Sequence, residues 1–171
     1  MKILTSAMEG IERTEYKCLR ERRIKMLSQY LKGNTNFLDE VSSWEESIKK
    51  ASQPLLEKDL ITEKYIESMI DTVNKHGSYI VVVPEIAMPH SKDSESVNKT
   101  SMSFLKLNKP VLYPDEKEVK ILFVLAAKDD SEHLELIADL SSILSDEEVM
   151  AKFKKVENEK DLIELIETVE D

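Results

Sequence analysis

Glycine is scarce in this 171-residue chain, which holds three in all. A loop that cradles a nucleotide needs several glycines close together so that backbone amides can close around phosphate. No such loop is present. Cysteine occurs once, as Cys18, which rules out an internal disulfide and suits a reducing cytoplasm. With no second thiol or activating pair beside it, Cys18 reads as chemically quiet. No run of about 18 apolar residues occurs, so no segment reads as a membrane helix. The start, residues 1–11, is interrupted by Glu9 and Gly10 and is too polar for a secretory signal. Arginine is the most unevenly missing residue: Arg13, Arg20, Arg22 and Arg23 all fall in the first 23 positions, and none follows.

What is present is an ordinary globular balance, 41% hydrophobic and 34% charged, at a length that fits one domain with a short appendage. The net charge of -10 argues against nucleic acid as a partner, because phosphate backbones demand a basic surface. It suits a partner with a positive docking face. Residues 1–35 carry a net +4 and residues 36–171 a net -14, which divides the chain into a basic helical N-terminal extension or linker (1–35) and a main domain (36–171). The spacing of Tyr16, Leu19, Leu27, Tyr30 and Leu31 predicts a helix over 11–32 that stops at Gly33. Its basic run, Arg20 to Lys25, reads first as a solvated face.

In the main domain, Ser43 and Glu46 form a capping-box pair opening a helix that Pro54 is expected to end. Thr62 is expected to cap a second helix, with Tyr65, Ile66, Met69, Ile70 and Val73 at helical spacing and Gly77 as its stop. The β-branched run Tyr79–Val83 predicts a strand buried on both faces, followed by a proline-constrained loop, Pro84 to Pro89. Residues 101–107 alternate as a strand that Pro110 should break, leaving 108–118 as an exposed loop before a second buried strand at 119–127. Asp130-Ser131 is expected to cap a helix with Leu134, Ile137, Leu140 and Leu144 on one face. Ser145 and Glu148 are expected to box the next helix, and 159–169 forms the last. Helices alternating with buried strands predict an α/β fold with helices on both faces of the sheet.

Two of the three histidines stand where chemistry is expected. His90 follows the Tyr79–Val83 strand through a segment whose prolines set its direction. His133 lies in the first turn of the helix after the 119–127 strand. In open α/β sheets the carboxyl ends of strands form the ligand crevice, so both imidazoles are expected at one sheet edge. Such a pair suits phosphoryl transfer: neutral imidazole is a nucleophile, a second imidazole can bond a phosphate oxygen, and amides at Ser131 can assist. From the residues alone, a plain surface role for either histidine stays open. No zinc spacing and no Gly-x-Ser-x-Gly elbow occurs, and Glu45-Glu46 and Glu147-Glu148 read as helix N-terminal charges.

Four segments, Ser43–Ile48, Gly77–Val82, Ile86–His90 and Leu125–Leu134, resemble the enzyme IIA domain of the phosphoenolpyruvate-dependent sugar phosphotransferase system, mannitol/fructose class, over about residues 40–170. The ascorbate-type branch is the nearest in pattern. The resemblance implies a mixed β-sheet flanked by helices on both faces, no cofactor and no metal. It implies that His90 is the phosphoryl acceptor, His133 the supporting histidine, the carrier protein HPr the donor, and a IIB protein or domain, phosphorylated on cysteine, the recipient. The chain would then be a cytoplasmic phosphotransferase that meets the membrane IIC component only through IIB. Mannitol-type relatives carry an arginine in the helix ahead of the first site strand. Here Asp71–Lys75 has none, which favours the ascorbate-type reading and leaves Lys92, Lys99 or Lys128, backbone amides, or the partner to supply positive help for the phosphate. An alternative is a IIA-like regulatory domain of a sugar-operon transcription regulator, a reading that the basic 1–35 segment favours.

Overall fold

Alternation of apolar residues along the 119–127 run explains the layering. Ile121, Phe123 and Leu125 pack into one core and Leu122, Val124 and Ala126 into another, because successive strand residues point to opposite faces. A strand buried on both sides needs helices on both sides. The computed structural model describes residues 14, 15, 18 and 27–169 and supplies them. In chain order the elements are β1 (Thr35–Leu38), α1 (Trp44–Glu57), α2 (Glu63–His76), β2 (Val81–Val83), β3 (Glu85–Ala87), β4 (Ser101–Tyr113), β5 (Lys117–Ala126), α3 (Asp130–Leu144), α4 (Glu147–Phe153) and α5 (Glu159–Thr168). The sheet order is β1-β4-β5-β3-β2. β1 runs parallel to β4 and β3 parallel to β5, while β4–β5 and β2–β3 are antiparallel, so the sheet is mixed. Helices α1 and α2 cover one face. Helices α3, α4 and α5 cover the other, together with Leu27 and Leu31, which are fully buried in that core. Residues 27–31 are helical, and most of the helix expected over 11–32 lies outside the described residues.

Three prolines behave differently from expectation. Pro54 does not end α1, which continues to Glu57. A proline in a helix deprives the carbonyl four residues back of its partner, and Asn36 Nδ2 donates to that carbonyl, Lys50 O, at 3.4 Å. Pro110 does not break β4, which runs on to Tyr113 and pairs Val111 with Val119 and Tyr113 with Lys117. The pairing register shifts between Lys106 and Val111, so the proline sits where the ladder asks for no amide. The expected 108–118 loop is therefore mostly hairpin, turned at 114–116, and buried Tyr113 shares a 2.6 Å hydrogen bond with Ser47 Oγ. Pro84 makes a tight turn with Glu85 at φ 69°, folding β3 back onto β2. The residues read as a loop before His90 thus contain β3. The expected doubly buried strand at 79–83 is instead a three-residue edge strand, with Tyr79 45% and Val82 44% exposed.

Ser43 and Thr62 sit at the N-caps expected of them, whereas the caps of α3 and α4 shift by a residue or two. Ser43 Oγ accepts from Glu46 N at 3.2 Å, but the Glu46 carboxylate accepts from Ser42 rather than returning to Ser43. Thr62 sits at the N-cap of α2 without a side-chain cap, its hydroxyl donating to Ser96 O. Asp129 caps α3 and Asp146 caps α4, taking the places expected for Asp130-Ser131 and Ser145. The buried stripe of α3 is Leu136, Leu140, Ile143 and Leu144; Leu134 is 66% exposed. No helix among the described residues is long and apolar enough to cross a membrane.

Candidate functional site

Because β3 and β5 are parallel neighbours, their carboxyl ends open at the same sheet edge. Two residues beyond Ala87 the pairing persists, with Leu125 N donating to Pro89 O at 3.0 Å. His90 comes next. His133 arrives from the first turn of α3, just after β5. Their rings meet with centroids 5.2 Å apart, tilted by 58°. The sequence-predicted pair is therefore brought together, in a cleft of about 580 Å³ that is also lined by Ser68, Thr72, His76, Tyr79, Ser91, Lys92 and Asp93.

His90 is held on three sides. Its Nδ1 lies 2.5 Å from Met88 O. A carbonyl only accepts, so Nδ1 carries the proton and the lone pair is left on Nε2. Tyr79 packs edge-on against the ring at 5.8 Å, and His133 lies beyond. The flanking backbone is pinned as well. Tyr65 OH donates to Leu125 O at 2.5 Å and accepts from Ser91 N at 3.1 Å, and burial pushes its phenol far up, so it keeps its proton. Thus Pro89 is tied to β5 and Ser91 to α2, with His90 between them.

Both imidazoles are biased towards the neutral form. Burial pulls His90 below the usual histidine range, and the neighbouring His133 adds to this against the opposing pull of the Met88 carbonyl. Burial also lowers His133, with Asp130 opposing and Lys92 reinforcing the shift. A neutral ring with its proton committed on one nitrogen presents a nucleophilic lone pair on the other.

The structure separates the three candidate lysines. Lys92 lines the cleft. Lys128 Nζ is occupied by Val97 O at 2.9 Å, and Lys99 is not among the cleft residues. The amides at the start of α3 are partly claimed by protein: Asp129 Oδ1 accepts from Glu132 N at 2.8 Å, and exposed Ser131 does not line the cleft. His76, Ser68 and Thr72 are functional-site residues that the sequence-based expectation does not include. All three line the cleft from α2, and His76 packs edge-on against Tyr79 at 6.3 Å. Their spacing, 68, 72 and 76, was the available signal, a polar stripe at four-residue intervals on an otherwise apolar-patterned helix. Among the described residues no group of three or more His, Cys, Asp or Glu side chains is placed to hold a metal ion. A second groove of about 600 Å³, between α1 and α2, includes Glu46, Lys49, Gln53 and Glu63 but no histidine.

Comparison with known proteins identifies the family and the fold. A mannitol-specific cryptic phosphotransferase enzyme IIA component of Escherichia coli is 32% identical over 142 residues, which is 82% of this chain and 97% of that protein. An ascorbate-specific PTS system EIIA component of Shigella boydii is 30% identical over 131 residues, 75% of this chain and 85% of that one. The solution structure of the mannitol-specific cryptic enzyme IIA from E. coli superposes with a TM-score of 0.75 at 30% identity, covering 83% of this chain and 98% of the other. The family model described as phosphoenolpyruvate-dependent sugar phosphotransferase system, EIIA 2, matches residues 29–169. Family match and fold agree, and the chain belongs to the EIIA 2 family of the phosphoenolpyruvate-dependent sugar phosphotransferase system.

Proposed function

We propose that this chain is a phosphocarrier of a sugar transport system, that His90 Nε2 takes the phosphoryl group from HPr, and that a cysteine of a IIB protein or domain receives it. The observation that carries the reading is the Met88 carbonyl at Nδ1, which leaves the His90 lone pair on the opposite ring nitrogen beside His133. In the forward step the Nε2 lone pair forms the new bond to phosphorus as the bond to the donor breaks and its electron pair leaves with the donor. In the onward step a IIB thiolate attacks phosphorus and the pair in the N–P bond returns to Nε2. His133 supports both steps by hydrogen-bonding a phosphoryl oxygen. Positioning and charge stabilisation are most of what such a transfer asks of a protein.

The sugar proposed is ascorbate or a related one, since the cleft contains no arginine in a family whose relatives here include both mannitol- and ascorbate-specific proteins. The proposed location is cytoplasmic, with membrane IIC reached only through IIB and no nucleic-acid contact by this domain. Incubation with phosphoenolpyruvate, enzyme I and HPr should place an acid-labile phosphate on the wild-type chain and none on His90→Ala. Equal labelling of His90→Ala would sink the site assignment. The basic charge of residues 1–35 favours a second reading, a regulatory IIA-like domain. Labelling by HPr with no onward transfer to any of a panel of IIB proteins would select it over transport.

A further inference from the structure

A phosphoryl group on His90 brings oxygens bearing about two negative charges into the cleft, and those oxygens need hydrogen-bond donors. The hydroxyl donors there are not equally available. Thr72 Oγ1 spends its proton on Ser68 O at 2.7 Å. Tyr65 spends its own on Leu125 O. Ser68 and Ser91 differ. Their hydroxyl oxygens are 2.5 Å apart, and Ser91 Oγ also accepts from Asp93 N at 3.2 Å.

Two hydroxyls carry two protons, and their mutual bond uses one. No carbonyl or carboxylate among the described residues accepts the other from either oxygen. A hydroxyl oxygen has two lone pairs. Either hydroxyl can donate in the mutual bond: with Asp93 N–H on one lone pair and Ser68 O–H on the other, the acceptor capacity of Ser91 is filled and its own proton is free, and in the reverse direction the free proton is on Ser68. Ser91 is also the residue next to His90, and its backbone amide is fixed by Tyr65. Its oxygen is thus held by side-chain and backbone donors before any phosphoryl group arrives, which is how a preorganised donor to developing charge is built.

Resting on the reading of His90 as the phosphoryl acceptor, we infer that Ser91 Oγ donates a hydrogen bond to the phosphoryl oxygens, with Ser68 orienting it and Lys92 adding positive charge. This hydroxyl does part of the work for which the cleft has no arginine. Ser91 touches the transferring group; Ser68 acts through Ser91 and is a positioning residue.

The test measures the rate of labelling by phosphoenolpyruvate, enzyme I and HPr, together with the phosphorus NMR shift of the phosphorylated protein. Ser91→Ala is expected to slow labelling on the order of tenfold or more, as for loss of one hydrogen bond to a charged group, and to move the phosphorus resonance. Ser91→Thr, which restores a hydroxyl, should return the rate to within about threefold of wild type. Ser68→Ala should cost less than Ser91→Ala, and adding it to Ser91→Ala should cost nothing further, because the two act through one proton. If Ser91→Ala does not fold, Ser91→Gly removes the same hydroxyl and gives the same readout. An unchanged rate and unchanged resonance in the serine-deleted protein would overturn the inference, as would a threonine variant as slow as alanine. Failure of wild type to be labelled at all would instead remove the phosphocarrier reading beneath it.

Discussion

Tyr65→Phe isolates the atom that ties the sheet to the site. Phenylalanine keeps the ring, and with it the packing of a side chain that is fully buried, so the change deletes a hydroxyl and little else. That hydroxyl donates to Leu125 O at 2.5 Å, with Ser91 O a longer second acceptor at 3.4 Å, and it accepts from Ser91 N at 3.1 Å. The net loss of the first is about 1 kcal/mol, and an amide left without a partner costs about 1–3 kcal/mol more, so the expected destabilisation is about 2–4 kcal/mol. For a chain of this size that corresponds to a fall in Tm of roughly 5–15 °C. Urea titration should show a lower midpoint with an unchanged slope, since the surface exposed on unfolding does not change. The labelling rate should also fall severalfold, because the turn presenting His90 loses its anchor on α2 and small misplacements of a reacting group are costly. A destabilisation below about 0.5 kcal/mol, the range of ordinary surface substitutions, would refute the argument that this bond network is closed.

Gly77 at the end of α2 has φ 77° and ψ -157°, a region nearly restricted to glycine, and a Cβ there would lie 3.2 Å from Asp115 Oδ2. Gly77→Ala should therefore cost about 1–3 kcal/mol in the same urea assay, and a neutral result would mean that the turn can be rebuilt. The histidines set a pH dependence whose sign follows from burial. His90 and His133 are both depressed in the folded chain, whereas unfolded imidazole titrates near 6.5. The unfolded state then binds more protons in the window from the depressed folded values up to about 6.5, so stability is full above that pH and falls as pH drops through the window. His90→Asn should lose less stability than wild type across that fall. Parallel stability–pH curves for the two proteins would contradict it.

The helices and the histidine pair could be read from residue order because their signals are local. Apolar spacing in α2, the even and odd faces of β5, and a histidine just past each of two strands all survive without tertiary information. The prolines did not translate so directly. Whether Pro54 ends a helix depends on a partner for Lys50 O, and that partner is Asn36, fourteen residues away. Whether Pro110 breaks a strand depends on the register of β4 against β5. Neither fact is local. His76 is not legible for a similar reason: nothing in its neighbourhood in sequence shows that Tyr79, across a glycine turn, packs against both it and His90. Ser91 was equally hidden, because its significance lies in a proton count that needs Ser68 and Asp93 placed in space.

The carbonyl of Met88 has a bearing on turnover as well as on nucleophilicity. In the proposed cycle the proton takes no part in making or breaking the bond to phosphorus, and it stays on Nδ1, donated to the carbonyl oxygen 2.5 Å away. The imidazole finishes each delivery in the tautomer with which it began. A courier that had to trade protons with water between errands would be limited by that exchange. In that proposed cycle departure of the cargo alone resets the ring, with no proton to fetch before the next load.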